Sequence, residues 1–177
     1  MYDVAVIGLG PVGLTLSLLL QRKGLSVIGV EKATATHPLP RAIGLDHEAM
    51  RIFQNLGLAD AVQPTTGRYC TSEYRSADGS LLRRIVQAPE PHLLAWPPNL
   101  TFIQPELEAV LFDHARRVDG ITLHHVAEVV HLAQDADGVT ATVLIGPERN
   151  RAEVHARFVV GCDGAASFVR RVLAITS

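Results

Sequence analysis

Cysteine, aromatic residues and charge of either sign are all scarce in this chain, and each scarcity removes a class of protein. The 177 residues hold two cysteines and one tryptophan, and aromatic side chains make up 5%. Cys70 and Cys162 lie far apart with no metal-type spacing around them, so no disulfide framework is expected and a reducing cytoplasm is the expected compartment. The net charge of −2 gives no electrostatic pull toward nucleic acid. No long apolar run is present. The longest, residues 14–20, is broken by Thr15 and Ser17 and is too short to cross a bilayer. Acidic Asp3 and the lack of a basic opening region argue against a secretory leader. With 47% hydrophobic and 19% charged residues, the chain can build a real core, and one domain over residues 1–177 is the expectation.

What is present is concentrated at the start. Residues 4–7, Val-Ala-Val-Ile, read as a buried parallel strand. Gly8, Gly10 and Gly13 follow in the pattern G-x-G-x-x-G. Gly8 permits a tight turn, Gly10 lets a pyrophosphate reach the backbone, and Gly13 lets the next helix pack closely. Pro11 fits the first helical turn, where its missing N–H costs nothing, and Val12 follows it. Leu14, Ser17 and Leu18 give this helix a face for the sheet. Gly24 ends it, and residues 26–30 read as a second strand. Glu31 stands eighteen residues beyond Gly13, near the roughly 20 expected of an acid that accepts ribose hydroxyls. The helix N-terminus offers free N–H groups to phosphate. These features alone leave open a nicotinamide dinucleotide, a flavin dinucleotide, or a glycine turn that serves packing only.

The remainder narrows the choice. A nicotinamide dehydrogenase would continue with alternating strands and helices. Here residues 46–56 read as a helix capped by Asp46, with Ile52, Phe53 and Leu56 apolar, closed by Gly57. Residues 68–75 and 81–86 read as two strands around Ala77-Asp78-Gly79. A connection with Pro89, Pro91, Pro97 and Pro98 leads to a helix over 105–117, with Leu107, Val110 and Leu111 at helical spacing. A meander follows: 126–134, 139–145, and an alternating strand over 152–160 whose apolar end, Phe158-Val159-Val160, is expected to return to the buried sheet. It empties into Gly161-Cys162-Asp163-Gly164 and a helix from Ser167. The fold expected is α/β, a Rossmann-like domain with a parallel sheet and an inserted antiparallel β-meander.

Four segments, VIGLGPVGLTLSLLL, PRAIGLDHEAMRIFQNLGL, FIQPELEAVL and VVGCDGAASFVRR, carry a resemblance to the N-terminal part of the single-component FAD-dependent aromatic hydroxylases, the 3-(3-hydroxyphenyl)propionate hydroxylase type above all. The resemblance implies an FAD-binding domain with NADPH or NADH as reductant and a small phenolic substrate. It places Gly8, Gly10, Pro11, Val12 and Gly13 at the FAD pyrophosphate. Glu31 falls on the adenosine ribose with Lys32 beside it, and Arg41 near the pyrophosphate and the nicotinamide entry path. Gln104 falls on the ribityl-phosphate region, and Asp163 on both FAD and NAD(P)H. On the residues alone, Arg41 also reads as an exposed loop charge, Gln104 as a helix cap and Asp163 as a turn residue. No catalytic base is named. His124, His125 and His131 read as ordinary strand histidines rather than ligands, and no metal is expected. Ser167 reads as a helix cap, and Arg170 and Arg171 as helix surface, with Arg170 the one that could face phosphate. Ala174 stands where glycine is common in the family.

The chain stops at RRVLAITS, whereas the family continues for at least as many residues again, through a second flavin motif and much of the substrate pocket. The expectation is therefore a part of a longer enzyme, or an oligomer, that does not hydroxylate a phenol alone. The alternatives are a non-catalytic nucleotide-binding remnant, a partner-dependent module, and a small NAD-binding protein. The meander and the CDG segment predict that purified protein binds FAD more tightly than NAD. Equilibrium dialysis against both nucleotides checks this, and tighter NAD binding refutes it.

Overall fold

The computed structural model describes residues 1–34 and 40–176. In chain order the elements are β1 (Tyr2–Ile7), α1 (Pro11–Gln21), β2 (Val27–Val30), β3 (Gly44–Asp46), α2 (His47–Asn55), α3 (Ala59–Val62), β4 (Thr66–Arg68), β5 (Ser72–Arg75), β6 (Leu81–Ile85), β7 (Asn99–Phe102), α4 (Gln104–Ala115), β8 (Ile121–His124), β9 (Ala127–Gln134), β10 (Val139–Ile145), β11 (Asn150–Gly161) and α5 (Phe168–Val172). They fall into two compact units, Met1–Pro38 with Glu108–Ser177, and Leu39–Leu107.

The first unit holds a six-stranded sheet in the order β8-β2-β1-β11-β10-β9. β8, β2, β1 and β11 run parallel, and β10 and β9 continue it antiparallel. The parallel sheet with a meander is thus as expected. β11 joins the two parts, pairing with β10 over residues 150–156 and with β1 over 156–161. β1 is buried on both faces, as its unbroken apolar run requires. Val4 and Val6 join Val27, with Leu16 and Leu20 of α1 packed against them. Ala5 and Ile7 join Ile28, Val30 and the meander residues Val129 and Val143. Each valine, isoleucine or leucine among them contributes about 1.5–3 kcal/mol when fully removed from water. In α1, Leu14 and Leu18 are buried as expected. Buried Ser17 satisfies its hydroxyl by donating to the Gly13 carbonyl at 2.8 Å.

Two expectations about this unit change. β8 was not anticipated, because four residues after a helix carry too little pattern to read. Phe158, expected in the buried sheet, is in register with Val4 yet 62% exposed. Pairing satisfies a strand's backbone, but a side chain is buried only where a layer lies over it. The Arg157 guanidinium lies 5.9 Å from the Phe158 ring centroid.

The second unit holds a three-stranded antiparallel sheet, β3-β7-β4, and the hairpin β5-β6. Asp46 caps α2 as expected, accepting from the Ala49 N–H at 2.8 Å. The buried face of α2 is Met50 and Phe53, and Ile52 is exposed instead. The strand expected over 68–75 is two strands. β4 pairs with β7 and β5 with β6, so the chain must break between the two sheets.

α5 is capped by Ser167, whose Oγ accepts from the Arg170 N–H. Its far end closes with the Ile175 N–H donating to the Arg170 carbonyl and the Ala174 N–H to that of Arg171, both at 3.1 Å. This is a Schellman closure, and it holds Ala174 at φ +53°. An L-residue there costs about 1–2 kcal/mol, partly offset by the roughly 0.5–1 kcal/mol of extra unfolded-chain freedom that glycine brings. Ala174→Gly is expected to stabilise the chain by about 0.5–1 kcal/mol in urea unfolding. A loss of stability would show that the closure does not form.

Candidate functional site

The glycine-rich loop sits in the first unit where β1, α1 and the exit of β11 meet. Gly8 leaves β1 at φ +98°, with its N–H donating to the Val30 carbonyl at 2.8 Å. The Cys162 N–H donates to the Ile7 carbonyl at 2.6 Å, drawing the end of β11 against the loop. A Cβ on Gly8 would overlap the Cys162 carbonyl, and one on Gly13 would overlap the Gly8 carbonyl. These two glycines therefore serve backbone contact. Gly10 differs. It precedes α1 with no side-chain cap, and a Cβ there would meet no atom within 4 Å. Pro11 opens the helix and Val12 is 70% exposed. The site thus offers uncapped first-turn amides and an open space above Gly10, which fits a phosphate group.

Glu31, at the end of β2, binds this loop through its carboxylate. Its Oε2 accepts from the Leu9 N–H at 2.9 Å and its Oε1 from the Ala33 N–H at 2.8 Å. A carboxylate has about four lone-pair sites, so two stay available for hydroxyl donors. Lys32 beside it is exposed.

Asp163 is brought close in chain to Cys162 but is engaged elsewhere. Its Oδ1 accepts from the Ser167 hydroxyl at 2.5 Å, and its Oδ2 from the N–H groups of Phe168 and Val169 at 2.6 and 3.2 Å. The carboxylate holds the start of α5. Arg170 and Arg171 fold back onto the carbonyls of Ala165 and Ala166 at 2.5 and 2.7 Å, so neither guanidinium faces the glycine loop by these bonds. Burial, with the Asp163 carboxylate adding to it, pushes the Cys162 thiol above its ordinary pKa, which keeps it protonated and unreactive at neutral pH.

The second unit carries Arg41 and Gln104. Arg41 is exposed, and among the described residues no carboxylate forms an ion pair with it. Gln104 is the first residue of α4 and is buried. Its Oε1 accepts from the N–H groups of Arg41 and Ala42 at 2.8 and 3.0 Å. Sequence reasoning missed this bond, since nothing local links residues 62 and 63 positions apart. Among the described residues no group of three histidine, cysteine or acidic side chains could hold a metal. The His125 ring packs edge-on against Phe112, with centroids 4.9 Å apart.

The sequence matches the family described as FAD binding domain over residues 1–177. The chain belongs to that family. It is 37% identical over 174 residues to a 3-(3-hydroxy-phenyl)propionate/3-hydroxycinnamic acid hydroxylase of Mycolicibacterium smegmatis, covering 98% of this chain and 30% of that protein. It is 40% identical over 173 residues to hydroxylase 1 of the same name from Burkholderia vietnamiensis, covering 97% and 27%. Among solved structures, p-nitrophenol 4-monooxygenase PnpA of Pseudomonas putida superposes with a TM-score of 0.88 at 28% identity, covering 99% of this chain and 44% of that one. The flavin-dependent monooxygenase PieE, solved with FAD and substrate, gives 0.85 at 27%, covering 99% and 32%. The chain therefore spans about 30% of the length of the curated relatives. FAD, not NAD, is the dinucleotide of this FAD-binding family, so the choice left open by the glycine pattern is decided by the whole chain.

Gly10 and Gly13 predict different outcomes on substitution. Gly10→Ala is expected to change unfolding free energy by less than about 0.5 kcal/mol. Gly13→Ala, forced onto the Gly8 carbonyl, is expected to destabilise by about 1–3 kcal/mol or more. Thermal or urea unfolding of the two variants compares them, and equal stabilities would refute the assignment.

Proposed function

We propose that this chain is the FAD-binding part of an NAD(P)H-dependent aromatic-ring hydroxylase that acts on a phenol. The observation that carries the proposal is the open space above Gly10 at an uncapped helix start, within a chain matched throughout by the FAD-binding family. In this reading the N–H groups at Gly10, Val12 and Gly13 hold the pyrophosphate, Gly8 makes the turn that lets it approach while its own N–H stays on the Val30 carbonyl, and Pro11 presets the helical turn. Glu31 takes the adenosine ribose with the lone pairs left after Leu9 and Ala33, and Lys32 adds positive charge. Arg41 presents its guanidinium fork to phosphate oxygens. Gln104 serves the same cofactor region. Asp163 contributes by holding the loop that enters α5. FAD, when bound, supplies the electron transfer and oxygen chemistry that no side chain supplies. The chain's own residues bind, orient and exclude water. None of them is assigned as an acid or base.

The names of the relatives support a hydroxyphenyl substrate, and PnpA and PieE support monooxygenation. Because the chain spans about 30% of its curated relatives, ring hydroxylation is proposed for the whole protein, with the substrate pocket supplied by the further sequence that those relatives possess or by a second subunit. No helix among the described residues is long and apolar enough to cross a membrane. A cytoplasmic site of action is proposed from the two widely separated cysteines, which suit a reducing compartment.

The decisive experiment is to purify the protein with FAD and ask whether flavin co-migrates on gel filtration. Loss of all flavin refutes the proposal. Glu31→Ala removes charge-assisted bonds worth about 1.5–3 kcal/mol each, so FAD affinity is expected to fall at least tenfold. Flavin fluorescence titration measures it, with circular dichroism to verify the fold. Unchanged affinity would leave Glu31 as a purely structural tie between Leu9 and Ala33.

A further inference from the structure

We propose that Gln104 is a positioning residue for Arg41: it sets the backbone of the Arg41–Ala42 turn and acts on FAD through that turn. The inference rests on the reading of Arg41 as a phosphate ligand. Its geometric half stands independently.

One oxygen, Gln104 Oε1, receives two consecutive amides, at 2.8 Å from Arg41 and 3.0 Å from Ala42. An amide oxygen has two lone pairs, and here both are committed. The donors are exposed residues, while the acceptor is only 5% exposed. The buried end is held firmly. Gln104 begins α4 two residues after β7, and β7 is paired to β3 from Gly44↔Thr101 to Asp46↔Asn99. Between them the Phe102 N–H donates to the Ile43 carbonyl at 3.1 Å. The bonds therefore run without interruption from Arg41 to Asp46. The Gln104 side chain continues the β3-β7 ladder by two residues, beyond the point where β7 itself has ended.

Arginine binds phosphate well only when its planar fork arrives at a set position and angle. An exposed loop would leave Arg41 to search many backbone states, and binding would lose affinity to that ordering. Fixing the two amides removes the search at its base. Glutamate at position 104 retains an acceptor of the same reach. Methionine retains the length and loses the acceptor.

Hydrogen exchange of the flavin-free protein reads the first half. The amides of Arg41 and Ala42 are expected to be protected in the wild type, although both residues are exposed. In Gln104→Met their exchange is expected to quicken at least tenfold while Phe102 stays protected, and Gln104→Glu is expected to keep most of the protection. Free exchange at Arg41 and Ala42 in the wild type, or no change in Gln104→Met, overturns the proposal. Should Gln104→Met not fold, the wild type and Gln104→Glu still decide it. FAD titration reads the second half. Gln104→Met is expected to weaken FAD at least fivefold in the wild type and less than twofold in an Arg41→Ala background. Equal losses in both backgrounds mean that Gln104 meets the cofactor directly and overturn action through Arg41. If Arg41→Ala leaves FAD affinity unchanged, the phosphate-ligand reading falls, and the exchange result still stands or falls by itself.

Discussion

The first unit depends on a contact made entirely of backbone. The start of α1 lies on the Gly8 carbonyl, and Gly8 lies on the Cys162 carbonyl, each at a distance no side chain can occupy. That contact draws three chain segments, residues 8, 13 and 162, to one point at the end of the parallel sheet. It also sets where the free amides of α1 are presented. Apolar packing on both faces of β1 stabilises the arrangement, but it would tolerate many choices of Val, Ile or Leu. The backbone contact tolerates one residue type at each of two positions.

The acidic groups around this point have structural work as well as a proposed ligand role. Glu31 ties Leu9 to Ala33, and Asp163 ties the CDG turn to α5. In both cases the carboxylate accepts backbone N–H groups, which are the donors a loop leaves unsatisfied. A residue type that suits a ribose or a pyrophosphate therefore also suits the loop that must be held near it. This double duty explains why an acid at a strand end is a good signal for a nucleotide site. It also explains why substitution of either acid is expected to disturb loop order along with binding.

Much of the fold was legible because its signals are local. Gly8, Pro11, Gly24, Asp46, Gly57 and Ser167 mark turns and caps through their own backbone preferences, and α1, α2 and the meander followed from periodicity. β3, β7 and β8 were not legible. They are three or four residues long, and each exists because a partner distant in sequence supplies its hydrogen bonds. Phe158 misled for the same reason. Its apolar character predicts burial, but whether a layer covers it is decided by what lies across the sheet.

The site divides along the same line. The sequence by itself determined the glycine pattern and the acid at position 31, since residue type and spacing along one continuous stretch carry that chemistry, and the resemblance of four separate segments, the CDG turn among them, pointed to FAD. Tertiary structure alone decided which groups those residues touch: the glycines on neighbouring carbonyls, Asp163 on the amides of α5, and Gln104 on the amides of Arg41 and Ala42. A hydrogen bond across 63 positions leaves no periodicity in the chain. It comes into being only when the β3-β7 ladder brings its two ends together.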